Sequence, residues 1–239
     1  MNIVSTSDLR RVYGEGETAV HALRGVTTAF PSGQFAAIMG PSGSGKSTLM
    51  HLLAGLDRPT TGSVVVDGSE LANLEDKALT RLRRDRLGFV FQAFNLVPVL
   101  TAEENILLPL TLAGRKPDQE WLGELIGAVG LGDRLDHRPA ELSGGQQQRV
   151  AVARALIHRP AVVFADEPTG NLDSHSSDEV LSLLRQAVDE FGQTVIMVTH
   201  DAHAASVADR ILVLSDGRVV HDGHGESTEG VLDLMKAVA

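Results

Sequence analysis

The chain has 239 residues, with 21 basic against 31 acidic side chains for a formal charge of −10, 43% apolar content and no cysteine. That balance argues against a broad nucleic-acid surface and against unaided binding to anionic lipid, both of which need clustered Lys and Arg. It also excludes a disulfide framework, a thiolate nucleophile and a cysteine zinc site. No apolar run approaches the roughly 18 residues that span a bilayer, and "MNIVSTSDLRR" lacks the basic-then-apolar pattern of a secretory signal. A soluble cytosolic chain with a sizeable core is expected.

Taken in chain order, "RRVYGEGETAVHALRGVTTAFPSG" predicts short strands with turns at "GEGE" and "PSG". "QFAAIM" is a strand running into the glycine loop "GPSGSGKST", and "KSTLMHLLAGL" continues as a helix. "TTGSVVVDGSEL" predicts a strand closed by an Asp-Gly turn. A charged helix follows from about Leu74, then the strand "LGFVF" up to Gln92. The basic run from Arg81 to Arg86 lies on that helix and reads as its solvated face. From 93 to 159 the pattern turns helical: "TAEENILLPLTLAG", "PDQEWLGELIGAVG" and "SGGQQQRVAVARALIH" carry helical spacing or caps, and Pro160 stops the last. "AVVFADEP" and "TVIMVTH" are continuous apolar runs, the style of strands buried on both faces of a parallel sheet. "DRILVLSDGRVVHDG" predicts an antiparallel hairpin. The fold class is α/β: a mostly parallel sheet and an N-terminal antiparallel part in 1–92 and 160–239, interrupted by a helical insert over 93–159.

Gly40 to Ser47 fits G-x-x-x-x-G-K-[ST]. Backbone N–H groups of Gly40, Ser42, Gly43, Ser44 and Gly45, on a loop that Pro41 helps to turn, can curl round phosphate oxygens, and the helix opening at Lys46, Ser47 and Thr48 adds a favourable dipole. Lys46 reaches the outer phosphates and the Ser47 hydroxyl ligates Mg²⁺. A guanine-type N-K-x-D stretch is missing, which favours ATP. Tyr13, the single tyrosine, either stacks on an adenine or fills part of the core. Asp166 and Glu167 end a buried strand, where one carboxylate holds the metal and the other orients water. Gln92 ends a strand and either touches the metal and its water or makes a strand-end hydrogen bond. His200 closes "TVIMVTH", placed for a γ-phosphate. The i, i+3 pairs His200/His203 and His221/His224 have no fixed carboxylate partner in the sequence and do not read as a metal site.

The stretch "LSGGQQQRVAVARAL" opens a helix with two glycines. Ser143 to Gln146 is a capping box, yet Gly144 and Gly145 each cost the first turn up to about 1 kcal/mol relative to alanine. A helix that needs only a cap has no use for them, whereas a backbone approached by a phosphate does.

"GPSGSGKST", Gln92, "LSGGQ", "VVFADEP", "NLD" and His200 together resemble, in order and spacing and over essentially the whole chain, the ATP-binding-cassette ATPases. The resemblance implies ATP hydrolysis with Mg²⁺ on Ser47, Gln92 and Asp166, and Glu167 as base. It also implies a head-to-tail dimer in which Ser143, Gly144, Gly145, Gln146 and Asp173 of one copy face ATP held by the other. By the same resemblance Tyr13 stacks on adenine and His200 contacts the γ-phosphate. "FVFQAFNLVPVLTAEENILLPL" with "ELSGGQQQRVAVARAL" resembles the lipoprotein-release, macrolide-export and cell-division branch. That implies a membrane permease contacted through the segment after Gln92, and a place on the inner face of a bacterial cell membrane. The alternative is a soluble cassette acting in assembly or on nucleic acid or ribosomes, against which the −10 charge counts.

Overall fold

The computed structural model describes residues 1–238. Two sheets face each other across α1 (Lys46–Leu53). The first, entirely antiparallel, has the order β2-β1-β4-β5, from β1 (Asn2–Tyr13), β2 (Val20–Pro31), β4 (Thr61–Val66) and β5 (Ser69–Glu70). β1 and β2 are twelve residues each, longer than their turn-rich sequence suggests. A break in register between Thr6 and Leu9, where Asp8 takes φ +42°, lets β1 bend rather than end.

The second sheet has the order β10-β9-β3-β8-β7-β6, from β3 (Phe35–Met39), β6 (Leu87–Phe91), β7 (Val162–Asp166), β8 (Val195–Val198), β9 (Arg210–Ser215) and β10 (Arg218–His224). Only the β9–β10 hairpin at its edge is antiparallel. β3 and β8 are buried along their whole length, which is why they read as continuous apolar runs rather than alternating ones.

α2 (Asp76–Arg86) precedes β6, and Arg81 to Arg86 do lie on it. Arg84 and Arg86 pair with Asp85 and Asp67, while Arg83 donates to the Gly55 carbonyl. Between β6 and β7 come α3 (Ala102–Leu112), α4 (Gln119–Val129) and α5 (Gly144–Leu156). Trp121 on α4 fixes that helix to the end of α5: its Nε1–H donates to the Ile157 carbonyl at 3.1 Å. Its ring meets Phe191 edge-on at 4.9 Å. α6 (Ser174–Asp189) lies between β7 and β8, and α7 (Ala202–Ser206) and α8 (Thr228–Val238) follow later.

This topology fixes where chemistry can occur. β3, β8, β7 and β6 are adjacent and parallel, so their carboxyl ends share one edge. Ile38, Val198, Asp166 and Phe91 stand level across that edge, over about 14 Å at ~4.8 Å per strand. The segments that follow each strand are those singled out by sequence. In open α/β sheets that edge is the ligand-binding one.

Candidate active site

β3 delivers the loop Gly40 to Gly45. A Cβ on Gly40 would collide with the Leu214 carbonyl, and one on Gly45 would lie 2.5 Å from the Ala22 carbonyl and 2.9 Å from Leu23 Cδ2. With φ +103° at Gly45, the start of α1 admits only glycine. The loop is thus pressed onto β9 and β2. Lys46 donates through Nζ to the Gly40 and Pro41 carbonyls at 2.9 and 3.0 Å. Burial lowers its pKa, opposed by the carboxylates of Glu167 and Asp166, so these groups lie within electrostatic reach. Ser44 is buried, and its Oγ has no partner among the described residues. Ser42 and Ser47 are exposed, Ser47 in the first turn of α1.

β7 delivers Asp166 and Glu167. Burial raises the Asp166 pKa; His51 and Lys46 oppose this and Glu167 adds to it. Glu167 adopts φ +46°, a left-handed conformation for a side-chain-bearing residue. Its N–H donates to the Val198 carbonyl at 2.9 Å, and its Oε1 sits 2.7 Å from His200 Nδ1. The two residues assigned to water activation and to the γ-phosphate are therefore in direct contact.

Gln92 makes a reciprocal pair with Asn171: Nε2 donates to Asn171 Oδ1 at 3.0 Å, and Asn171 Nδ2 donates to the Gln92 carbonyl at 3.1 Å. Its amide also packs on Gly170, where a Cβ would lie 2.7 Å from Nε2. Gln92 thus binds the loop after Glu167 through its Nε2 and its backbone carbonyl.

At the second glycine pair the capping box is formed: Gln146 N–H donates to Ser143 Oγ at 3.2 Å and Ser143 N–H to Gln146 Oε1 at 2.9 Å. The glycines separate. A Cβ on Gly145 would lie 2.7 Å from Ser176 Oγ and 2.9 Å from Ser176 Cβ; on Gly144 nothing would be nearer than 3.5 Å. Packing against α6 gives Gly145 an internal reason beside any role toward a ligand. Only Gly144 has no internal reason. Asp173 caps α6, accepting from Ser176 N–H at 3.0 Å and Ser176 Oγ at 2.9 Å. Those hydrogen bonds, the backbone one first, lower its pKa.

Sequence reading misses two side chains of α5. The Gln148 side chain, fully buried, donates through Nε2 to the Phe91 and Pro168 carbonyls, the residues next to Gln92 and Glu167. Arg154 donates to the Phe94 and Asn95 carbonyls at 2.8 and 2.6 Å, on a turn where both residues have positive φ. Tyr13 ends β1; its hydroxyl donates to Asp57 Oδ2 at 2.8 Å. His203 pairs with Asp178 at 2.7 Å.

Residues 23–170 match the family model described as ABC transporter. The chain belongs to the ABC transporter family. As an ABC cassette it binds ATP and is an ATPase, and its α/β fold with an antiparallel sheet is that of such cassettes. Curated relatives include the macrolide export ATP-binding/permease protein MacB of Aggregatibacter actinomycetemcomitans. It is 48% identical over 224 residues, which cover 93% of this chain and 35% of that protein. An uncharacterized ABC transporter ATP-binding protein of Thermotoga maritima is 48% identical over 219 residues, 91% of this chain and 93% of that one. This ABC cassette thus spans about a third of MacB and nearly all of the Thermotoga protein. Among solved structures, the dimer of the cassette MJ0796 in a post-hydrolysis state with ADP and Pi matches with TM-score 0.83 and 42% identity. That match covers 94% of this chain and 99% of that one.

Proposed function

We propose that this cassette is the ATP-driven motor of a membrane complex of the macrolide-export, lipoprotein-release and cell-division type. Two copies close head to tail on two ATP molecules and part after hydrolysis. The observation that carries this reading is the site edge. The phosphate loop, Asp166–Glu167, His200 and Gln92 stand on the carboxyl ends of four adjacent strands, while Gly144 opens α5 with no packing reason of its own.

The residues fit ATP with Mg²⁺. Gly40 and Gly45 leave no room for side chains where the loop must present N–H groups to phosphate, and Lys46 supplies charge. Ser47 and Asp166, with Gln92, offer oxygen donors suited to a hard cation. No group of three or more His, Cys, Asp and Glu that could hold a metal occurs among the described residues, which suits an ion shared with phosphate oxygens. When bound, Mg²⁺ neutralises charge on the phosphates being separated.

In this scheme Lys46 exchanges its two loop carbonyls for phosphate oxygens. Glu167 accepts a proton from the attacking water, and His200, already 2.7 Å from Glu167, orients that carboxylate and meets the γ-phosphate. The partner's approach places its Ser143, Gly144, Gly145, Gln146 and Asp173 against the same phosphate, so the backbone at Gly144 senses whether that phosphate is present. Tyr13 stacks on the adenine.

A permease would receive the motion. Among the described residues no helix is long and apolar enough to cross a membrane; the spanning part belongs to another chain, or to the same polypeptide as in the MacB ATP-binding/permease relatives. A groove of about 480 Å³ lies beside the segment after Gln92. Its walls are apolar at Phe89, Phe91, Leu108 and Leu112 and basic at Arg83, Arg84 and Arg154. It suits a short amphipathic segment of the permease, on the inner face of the membrane, with 93–159 acting as the helical lever.

The test is the solution mass of Glu167→Gln with Mg-ATP, with Mg-ADP and without nucleotide. A dimer only with Mg-ATP supports the sandwich; the same mass in all three conditions, with ATP shown to bind, overturns it for the isolated cassette.

A further inference from the structure

Tyr13 is held from two sides. Arg11 and Tyr13 are two apart on β1 and so share a face. The Arg11 guanidinium carbon lies 4.4 Å from the Tyr13 ring centroid, close enough for a cation–π contact. Asp57 grips both residues, one oxygen each: Arg11 Nη2 donates to Oδ1 at 2.9 Å and the Tyr13 hydroxyl donates to Oδ2 at 2.8 Å. The Arg58 N–H donates to Oδ1 as well, at 2.7 Å. The Arg11 and Asp57 side chains are only 24% and 26% exposed, whereas Tyr13 is 39% exposed. The grip is sheltered and the ring is presented.

The grip also ties the ring to the phosphate loop by two routes. Asp57 follows the end of α1, its N–H donating to the His51 carbonyl. The helix that opens at Lys46 therefore carries Asp57 at its other end, after a rise of about 12 Å. Along β2, Ala22 presses on Gly45, and two residues away Val20 pairs with Tyr13, a step of about 7 Å. Both routes fix the separation of ring and phosphate cradle.

We infer that Arg11 and Asp57 are positioning residues for the nucleobase: they clamp the Tyr13 ring so that one face is covered and the other is a fixed platform for adenine. The inference rests on the stacking role proposed for Tyr13. A ring free at a strand end loses side-chain freedom when a base stacks on it; a clamped ring has lost it beforehand, so binding is tighter by that difference. Although burial works the other way, the Tyr13 hydroxyl, the Arg58 amide and Arg11 together hold the Asp57 carboxyl below the usual carboxylate range. The clamp therefore stays charged at neutral pH.

The test measures binding of Mg-ATP and of Mg-tripolyphosphate, which has no base, to the wild type and to Asp57→Asn, Arg11→Met, Tyr13→Phe and Tyr13→Ala. Because Tyr13 is the single tyrosine, 3-fluorotyrosine gives one ¹⁹F resonance that reports its ring alone. We expect Tyr13→Ala to weaken ATP about 5- to 100-fold, the range of base–aromatic stacking. Asp57→Asn, Arg11→Met and Tyr13→Phe should weaken it about 2- to 10-fold, with tripolyphosphate unchanged throughout. The ¹⁹F line should move or broaden in Asp57→Asn and Arg11→Met and sharpen again with ATP. Loss in Tyr13→Ala with none in Asp57→Asn and Arg11→Met overturns the clamp and leaves stacking intact. No loss in Tyr13→Ala overturns stacking itself. Equal losses for ATP and tripolyphosphate show general damage to the loop and overturn the positioning role.

Discussion

Gly144→Ala should make the monomer more stable and the dimer weaker, an opposition no ordinary helix cap produces. Neither Gly144 nor Gly145 has a positive φ, so alanine fits the backbone at both. At Gly144 the new methyl meets Leu172 Cδ2 at 3.5 Å and Phe94 Cζ at 3.7 Å, ordinary contact. The substitution removes chain entropy from the unfolded state and gains about 0.5–1 kcal/mol, or some 1–4 °C in Tm for a chain of this size. At Gly145 the methyl runs into Ser176, whose backbone and hydroxyl are both held by Asp173. Overpacking there costs about 1–3 kcal/mol, so Gly145→Ala should lower Tm.

In the sandwich the same Gly144 methyl stands between the helix start and the partner's phosphate. Losing a hydrogen bond to a charged group costs about 1.5–3 kcal/mol, and a two-fold interface contains two such sites. Dimerisation with Mg-ATP should therefore weaken about 10²- to 10⁴-fold. The assay is sedimentation of Gly144→Ala in the Glu167→Gln background over a range of concentrations, with urea unfolding of the monomer alongside. An unchanged dimer constant, or a less stable monomer, would refute the reasoning and leave α5 a capped helix without a ligand.

Glu167→Gln should cut turnover about 10²- to 10⁴-fold, the scale of a lost general base, with ATP affinity nearly unchanged; steady-state turnover beside equilibrium binding checks both. The Asp166 carboxyl is raised by burial, so its contribution to stability is full below the unfolded value near pH ~3.9 and is lost as pH rises through the higher folded value. Asp166→Asn should accordingly resist urea better than wild type at pH 7, by a margin that vanishes below about pH 4, while Mg²⁺-dependent ATP binding is lost. A smaller urea midpoint at pH 7 would contradict it. Gln148→Leu strands the buried Pro168 carbonyl, at about 1–3 kcal/mol, while the Phe91 carbonyl keeps the Phe94 N–H. It should lower kcat more than ATP affinity, since the loosened residues adjoin Gln92 and Glu167; a loss confined to affinity would oppose that view.

The phosphate loop, the Asp166–Glu167 strand end and His200 were legible because each couples a buried apolar strand to chemically marked residues in contiguous sequence. The helical stretch over 93–159 was legible from caps and spacing, as the formed boxes at Thr101 and Ser143 show. α6 carries helix signals, with Asp173 as its cap and Val180, Leu184 and Ala187 at helical spacing, but "NLD" reads as a motif before it reads as a helix start. What sequence hides is pairing across long separations. Gln92 with Asn171, Gly145 against Ser176, and Gln148 with Pro168 join positions that only the stacking of α5, α6, β6 and β7 brings together. Gly145 shows the hazard most clearly, since a glycine required by a neighbouring helix and one required by a ligand are identical in sequence.

These internal pairings also bear on control. Lys46 holds two loop carbonyls, Gln92 holds Asn171, Glu167 meets His200, and Asp173 holds Ser176. A nucleotide gains only the difference between its own contacts and those it displaces. For Lys46 the exchange favours phosphate, because a charge replaces neutral carbonyls in a partly buried site. Gln92 is neutral and tied to Asn171 by two hydrogen bonds at 3.0 and 3.1 Å, so its place toward a cation follows that loop. The phosphate loop can therefore engage ATP on its own terms, whereas Gln92 is released by whatever shifts Asn171 or the turn at Phe94 and Asn95. Arg154 grips that turn from α5 and also lines the groove beside it. On the docking proposed above, a force applied at the groove would reach Gln92 through one side chain and a turn of four residues, which would make hydrolysis, rather than ATP binding, the step most open to such control.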